Sequence, residues 1–449
     1  MKWFALSATG LLALFGCSTA SDSASNPGNE NNNTAAASSL ESRGLQGAKR
    51  NCVGTTPFDA WVADPNMCVF VYASNLGRPR QLAFAPNGDL FVSNSGKVTV
   101  VWDDDKNGTS DANERAVFSP EAGLNHGLAF SRDHDFLYAS SDTTVYRWAY
   151  ERGARVTAVP PEIVVKNMPA AGRHPTRTLV FDSDGRLYIN VGSATNVDDI
   201  QEQFDTRAQI RRFEIPDRIP LGGIDYREGE IAASGMRNEV GLFIDARDRL
   251  WGVENGADDL FDPRFGGDIH DDNPGEEINL VGIDDDDRTT KFYGYPFCYS
   301  EFLLPNGGGP GTQWADQMLV PEHVKTDAFC RNPKQVHPPE FVMQPHWAPL
   351  GIIQYTGHSL PFHDDFVIAV HGSFDRQPAV GKLLALARFQ RGHIVSVDPI
   401  VGTKNASGGL EQGAQGAPRP VDVRQGRDGA LYYSDDAGGR IFKVGFQRK

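Results

Sequence analysis

Three residues in this chain hold one position in a repeating phrase and could act on one ligand. His174 lies in GRHPTRTLVF, Arg237 in GMRNEVGLF and Arg419 in PRPVDV, each just ahead of an apolar run. If those runs are equivalent strands, their ends converge on one mouth. Arginines there suit a ligand bearing carboxylates, because the guanidinium fork matches that geometry. A histidine beside such a ligand can serve as general base. Taken singly, each is more often a structural hydrogen-bonding residue; the shared register is what points to function.

A second constellation suits a hard cation. Asp103–Glu114, DDDKNGTSDANE, fits D-x-[DN]-x-[DN]-G-x5-E at every required position. Asp103, Asp105 and Asn107 offer oxygens at alternate places, and Gly108 allows the sharp turn. Thr109 supplies a backbone carbonyl, Asp111 a direct or water-mediated contact, and Glu114 a bidentate carboxylate. The preceding VTVVW reads as a strand, so the expectation is a structural calcium loop without paired helices. A solvated acidic turn is the plainer alternative. Further on, Glu254–Asp287 holds thirteen carboxylates, with Arg264 the only Lys or Arg among them. So many like charges need solvent or cations. Solvent suits Asp284–Asp287, and a nearby cation is expected at Glu254–Asp262, which ends an inner strand.

The elements that position these groups recur six times: 76–94, 124–140, 174–193, 237–255, 347–373 and 419–436. Each copy is a short apolar run, a polar turn and a second apolar run. Asn87-Gly88, Asp184-Gly185 and Asp428-Gly429 tolerate positive φ between strands. Such a unit cannot bury its faces alone, so copies must stack. The fold class expected is all-β, a six-bladed β-propeller. About 110 residues separate Leu242 from Ile352, and this gap reads as one blade's outer strands plus long excursions.

The chain has 449 residues and a formal net charge of -15. That charge argues against a nucleic-acid partner, which needs a basic surface. Residues 1–16 read as a lipoprotein signal peptide. LFGC resembles a lipobox, implying a lipid on Cys17 and anchoring to a membrane of the cell envelope. In Gram-negative bacteria Ser18 then favours the outer membrane. Residues 17–45 read as a flexible tether and 46–449 as the propeller. Cys52, Cys68, Cys298 and Cys330 remain, an even count that suggests two disulfides in an exported chain. Short-range pairing is one of three connectivities. No GxSxG elbow, P-loop, Rossmann glycine pattern or CxxCH haem motif is present.

At VWDDDKNG, GRHPTRTLVFDSDGRLYINVGSATN, GMRNEVGLFIDARDRLWGVENGADDL, NPGEEINLV with FYGYPFC, HGSFDRQP and RPVDVRQGRDGALYYSDD, the chain resembles the sugar dehydrogenases dependent on pyrroloquinoline quinone (PQQ), more closely the sorbosone and pyranose branch. These phrases span roughly residues 70–445. The resemblance implies a six-bladed propeller that oxidises aldose or pyranose sugars, or sorbosone-like aldehydes. PQQ and calcium would be its cofactors, with hydride passing to the quinone. It implies His174 as the base, with Arg237 and Asn238 bordering quinone and substrate. Asn94, Asn255, Arg376 and Arg419 would touch the cofactor, and the carbonyls of Gly256 and Ala257 would hold its calcium. Two departures stand out. Arg173 replaces an acidic residue ahead of the base, and Ser193 replaces an Asp that orients it. Electrons would pass to a separate acceptor, a cytochrome or a quinone. Two other readings fit a propeller: a non-catalytic surface protein binding glycans or partners, and a calcium-dependent lactonase-like hydrolase.

Overall fold

The computed structural model describes Cys52 and residues 59–170, 172–198, 206–281 and 291–447. Cys17, the leader, the tether and Asp284–Asp287 lie outside the described residues.

The six phrases each open a blade. Blade 1 is Leu82–Phe84, Leu90–Asn94, Lys97–Val101 and Arg115–Pro120, paired antiparallel in that order. Blade 2 starts at Leu128–Phe130, blade 3 at Leu179–Phe181, blade 4 at Glu239–Ile244, blade 5 at Pro349–Gln354 and blade 6 at Pro420–Gln425. The polar turns work as the sequence predicts, but the glycine alone takes positive φ: Gly88 98°, Gly185 83° and Gly429 76°. In two of the turns its neighbour acts through its side chain instead. Asn87 Oδ1 accepts from the Asp89 N–H at 3.1 Å, and Asp428 Oδ1 from the Ala430 N–H at 3.1 Å.

The core is divided. One apolar cluster lies between each neighbouring pair of blades, such as Phe91, Phe118, Leu128 and Trp148 between blades 1 and 2. The cluster between blades 5 and 6 holds Tyr355, Val367, Leu386, Tyr433 and Phe442. Each fully buried side chain of this kind contributes roughly 2–3 kcal/mol, so a long chain is stabilised by wedges rather than one core.

Two arrangements were not legible in the repeat. Blade 6 has only three strands from the end of the chain, Pro420–Gln425, Leu431–Asp435 and Arg440–Phe446; its fourth is Met67–Ala73. Ala60–Val62 likewise adds to the outer edge of blade 5 by pairing with His393–Lys404. The long gap is what its composition predicts. Blade 4 carries the excursions, with Phe261–Asp262 paired to Gly267–Asp268 and Cys298–Ser300 paired to Gln313–Ala315. Disulfides join Cys298 to Cys330 within the excursion and Cys52 to Cys68 in the strand Met67–Ala73.

Candidate active site at the channel mouth

Every blade delivers residues to the same mouth from two places: the approach to its inner strand and the end of its second strand. Blades 3, 4 and 5 together line a cavity of about 450 Å³ with Arg173, His174, Arg237, Asn238, Asn255 and Gly256 among its walls. Backbone bonds lock the two places together. Ser193 N–H donates to Arg237 C=O at 2.8 Å, and Asn255 N–H to Asn238 C=O at 3.1 Å.

His174 Nδ1 lies 2.8 Å from Ser193 C=O and 3.0 Å from Ser193 Oγ. A carbonyl only accepts, so Nδ1 carries the proton and Nε2 is left with a lone pair. Burial and the positive charge of Arg237 push the imidazole pKa down to about 3; the Ser193 carbonyl pulls the other way, and Arg173 and Arg177 add to the fall. The ring is thus a neutral acceptor at ordinary pH. Gly192 makes the approach possible, since a Cβ there would sit 2.6 Å from Asn238 Oδ1 and 2.8 Å from His174 Cβ.

Arg237 is 3% exposed, and its donors are occupied. Nη1 donates to Gly256 C=O at 2.5 Å and to Asn255 C=O at 3.3 Å, Nε to Asn196 C=O at 3.2 Å, and Nη2 to Asn196 Oδ1 and Asp258 Oδ2 at 2.9 Å each. It clamps the loop after the second strand of blade 4. Asn255 Nδ2 donates to Pro349 C=O at 2.8 Å, while Asn238 Oδ1, buried at the cavity wall, has no partner. Glu276, also in the wall, accepts from the N–H groups of Gly256 and Ala348, and burial raises its pKa to about 7.

The model of a family described as TrAA12-like matches residues 61–447. The chain belongs to that family. A pyrroloquinoline quinone-dependent sugar dehydrogenase of Hypocrea jecorina is 31% identical over 387 residues, 82% of this chain and 86% of the relative. A pyrroloquinoline quinone-dependent pyranose dehydrogenase of Coprinopsis cinerea is 28% identical over 82% of this chain and 52% of the relative, so the chain spans about half of that protein. Among solved structures, the calcium structure of the Trichoderma reesei Carbohydrate-Active Enzymes Family AA12 matches with TM-score 0.74 and 29% identity, covering 87% of this chain and 98% of that one. The holo form of the PQQ domain of the Coprinopsis cinerea pyranose dehydrogenase matches with TM-score 0.73 and 26% identity over the same shares.

The TrAA12-like propeller brings His174, Arg237, Asn238, Asn255, Gly256 and Ala257 to one cavity. It does not bring the other expected contacts to that wall. Asn94 is buried against Thr99 Oγ1 at 3.0 Å, and Arg376 pairs with Asp272 at 3.0 Å. Arg419 belongs to a neighbouring corner, donating to the carbonyls of His371 and Gly372 at 3.2 and 3.3 Å. Asp436 is the centre of that corner, with Arg80 at 2.7 Å, His371 at 3.0 Å and Arg78 at 3.4 Å. Burial acts to raise its pKa, but His371 and Arg80 hold it well below the usual carboxylate range. Arg80 also reaches His126 Nδ1 at 3.3 Å. The sequence reading assigned Arg80, His126, His371 and Asp436 no role. Each stands just before an inner strand or just after a second strand, so the register that marks His174 marks them too.

Near Glu254–Asp262 two carboxylates have guanidinium partners: Asp258 pairs with Arg237 at 2.9 Å and Asp262 with Arg264 at 2.6 Å. Behind them Glu239, Glu254 and Glu277 form a row across three strands of blade 4. Burial first, then mutual repulsion, raises the pKa of Glu239 and Glu254. The calcium-loop sequence lies elsewhere, joining the third and fourth strands of blade 1. Carboxylate oxygens of Asp103, Asp105 and Glu114 come within 4.8 Å of one another there. Asp103 Oδ2 accepts from Gly108 N–H at 3.0 Å, and its buried Oδ1 has no partner.

Proposed function

We propose that the protein is a PQQ-dependent sugar oxidoreductase whose base is His174. The observation that carries this reading is the histidine's tautomer: Nδ1–H is committed to the Ser193 carbonyl, and the free Nε2 belongs to a buried ring held neutral beside a cavity of about 450 Å³. Family membership and the relatives' PQQ dependence support the cofactor. The residues present fit such a group. The cavity has the unpartnered Asn238 Oδ1 in its wall, and the buried positive charge of Arg237 beside it suits an anionic quinone.

When bound, PQQ supplies the electrophilic quinone carbon that accepts hydride, and calcium would polarise that quinone. Asn238 and Asn255 would orient the cofactor, with Gly256 and Ala257 offering carbonyls to its calcium. Gly256 C=O is already shared with Arg237, so Arg237 acts by fixing that carbonyl. His174 Nε2 takes the proton of the sugar hydroxyl as C–H cleaves. Ser193 holds the ring in place without the charge a carboxylate would add. Substrates are aldoses or pyranoses, or sorbosone-like aldehydes, and an external cytochrome or quinone takes the electrons. We further propose a second, structural calcium at Asp103–Glu114, and export with a lipid on Cys17. The two disulfides support an oxidising compartment.

The decisive test is titration of PQQ into the purified protein, following quinone absorbance with calcium and then with chelator. The expected result is calcium-dependent binding and bleaching on adding an aldose, lost in His174→Gln. Absence of binding under both conditions refutes the reading.

A further inference from the structure

One charge at the cavity is not used by the chain itself. Of the ionisable groups lining the cavity, Asp258 is paired with Arg237, Glu276 accepts two backbone N–H groups and His346 Nε2 lies 2.6 Å from the His270 carbonyl. Arg173 is exposed, and its guanidinium has no hydrogen bond or ion pair among the described residues. It adjoins the proposed base in sequence. Blade 5 contributes Phe374 to the same lining, and this ring is 84% exposed. A phenyl face suits the C–H face of a pyranose, and a free guanidinium suits a carboxylate.

The base itself lacks an anionic partner. Its Nδ1 meets only a carbonyl and a hydroxyl of Ser193, while guanidinium groups on both sides oppose its protonation. An anion on Arg173 would offset one of those charges as the imidazolium forms.

Resting on the oxidoreductase reading above, we infer that the preferred substrate is an acidic aldose, a hexuronate or the reducing end of an acidic oligosaccharide, with its carboxylate on Arg173 and its ring on Phe374. In the reaction the O1–H bond breaks as His174 Nε2–H forms. C1–H leaves as hydride to the quinone, and C1 becomes a lactone carbonyl. Two electrons and one proton thereby reach the cofactor, and one proton reaches the protein. The protein's net charge of -15 repels anions at long range, so the preference is expected in binding rather than in encounter rate.

The test is calorimetric binding of two non-oxidisable probes, methyl β-D-glucuronide and methyl β-D-glucoside, to the full chain with and without PQQ and calcium. The glucuronide is expected to bind about tenfold more tightly, the weight of one charge-assisted hydrogen bond. Arg173→Gln should remove that ratio, Arg173→Lys should keep part of it, and Phe374→Ala should weaken both probes alike. Equal affinities in the wild type, or a ratio unchanged by Arg173→Gln, overturn the inference. So does loss of PQQ affinity in Arg173→Gln, which would make Arg173 a cofactor contact. A wild type that binds the glucuronide through Arg173 but no quinone would refute the oxidoreductase reading and leave the acidic-sugar site standing.

Discussion

Replacing His174 by Gln tests the neutral, buried base without needing any cofactor. The folded ring has a pKa of about 3, against an ordinary value of 6.5. In cofactor-free protein at pH 5 roughly 1% of it carries a second proton, whereas roughly 97% does in the unfolded chain. As pH falls below 6.5 the unfolded state takes up the proton first, so stability is lost with acid. Between pH 7 and pH 5 that single group removes about 2 kcal/mol of unfolding free energy. His126 and His371 have depressed pKa values for the same reason, burial, and contribute in the same direction. They are common to both proteins, so the difference between wild type and His174→Gln isolates the one ring. Denaturant unfolding at the two pH values should show the wild type losing about 2 kcal/mol more than the variant. In parallel, imidazole NMR should contain one set of signals, absent in the variant, that stays neutral down to pH 4. A signal lost in His174→Gln that titrates near pH 6.5, with equal pH slopes of stability, would refute the argument.

Glu114→Gln should abolish the calcium response of blade 1. Calcium at about a hundred times its dissociation constant stabilises a single site by about 2.7 kcal/mol, and an equal thermal shift in wild type and variant would show that the loop holds none. Joint replacement of Cys298 and Cys330 by Ser reopens a loop of 32 residues' separation and should cost about 3–4 kcal/mol on the chain-entropy model. Hydrogen exchange should place that loss in residues 291–340, leaving the wedge between blades 1 and 2 protected. Uniform deprotection of all blades would contradict it.

The blades were readable because each inner hairpin repeats one pattern of apolar runs and a glycine turn, and local chemistry fixes that pattern. His174, Arg237 and Asn238 were readable because their register repeats with the strands. What was hidden depends on closure or on single side chains. Nothing in MCVFVYA at 67–73 says that its partner lies at Arg440–Phe446, because strand pairing at that separation leaves no local trace. Arg237 reads as a ligand-facing arginine, yet its donors are spent on carbonyls and Asp258, which only the folded loop reveals. Asn94 reads as a polar cofactor contact, yet its amide donates to Thr99 within its own blade. Arg80 and Asp436 are 356 positions apart, and no periodicity announces that they meet.

That meeting spans the seam where the ring is sealed. Arg80 comes from the first blade and Asp436 from the last, and the same last blade borrows Met67–Ala73 from the beginning of the chain. A chain that has folded five blades is an open arc, with the loop of Arg237 and Asn255 already present but the corner of Arg80 and Asp436 unmade. The ring therefore closes only when the final strand, Arg440–Phe446, slots between its two neighbours. A chain shortened by even its last strand keeps nearly all its blades and loses the clasp that joins its beginning to its end.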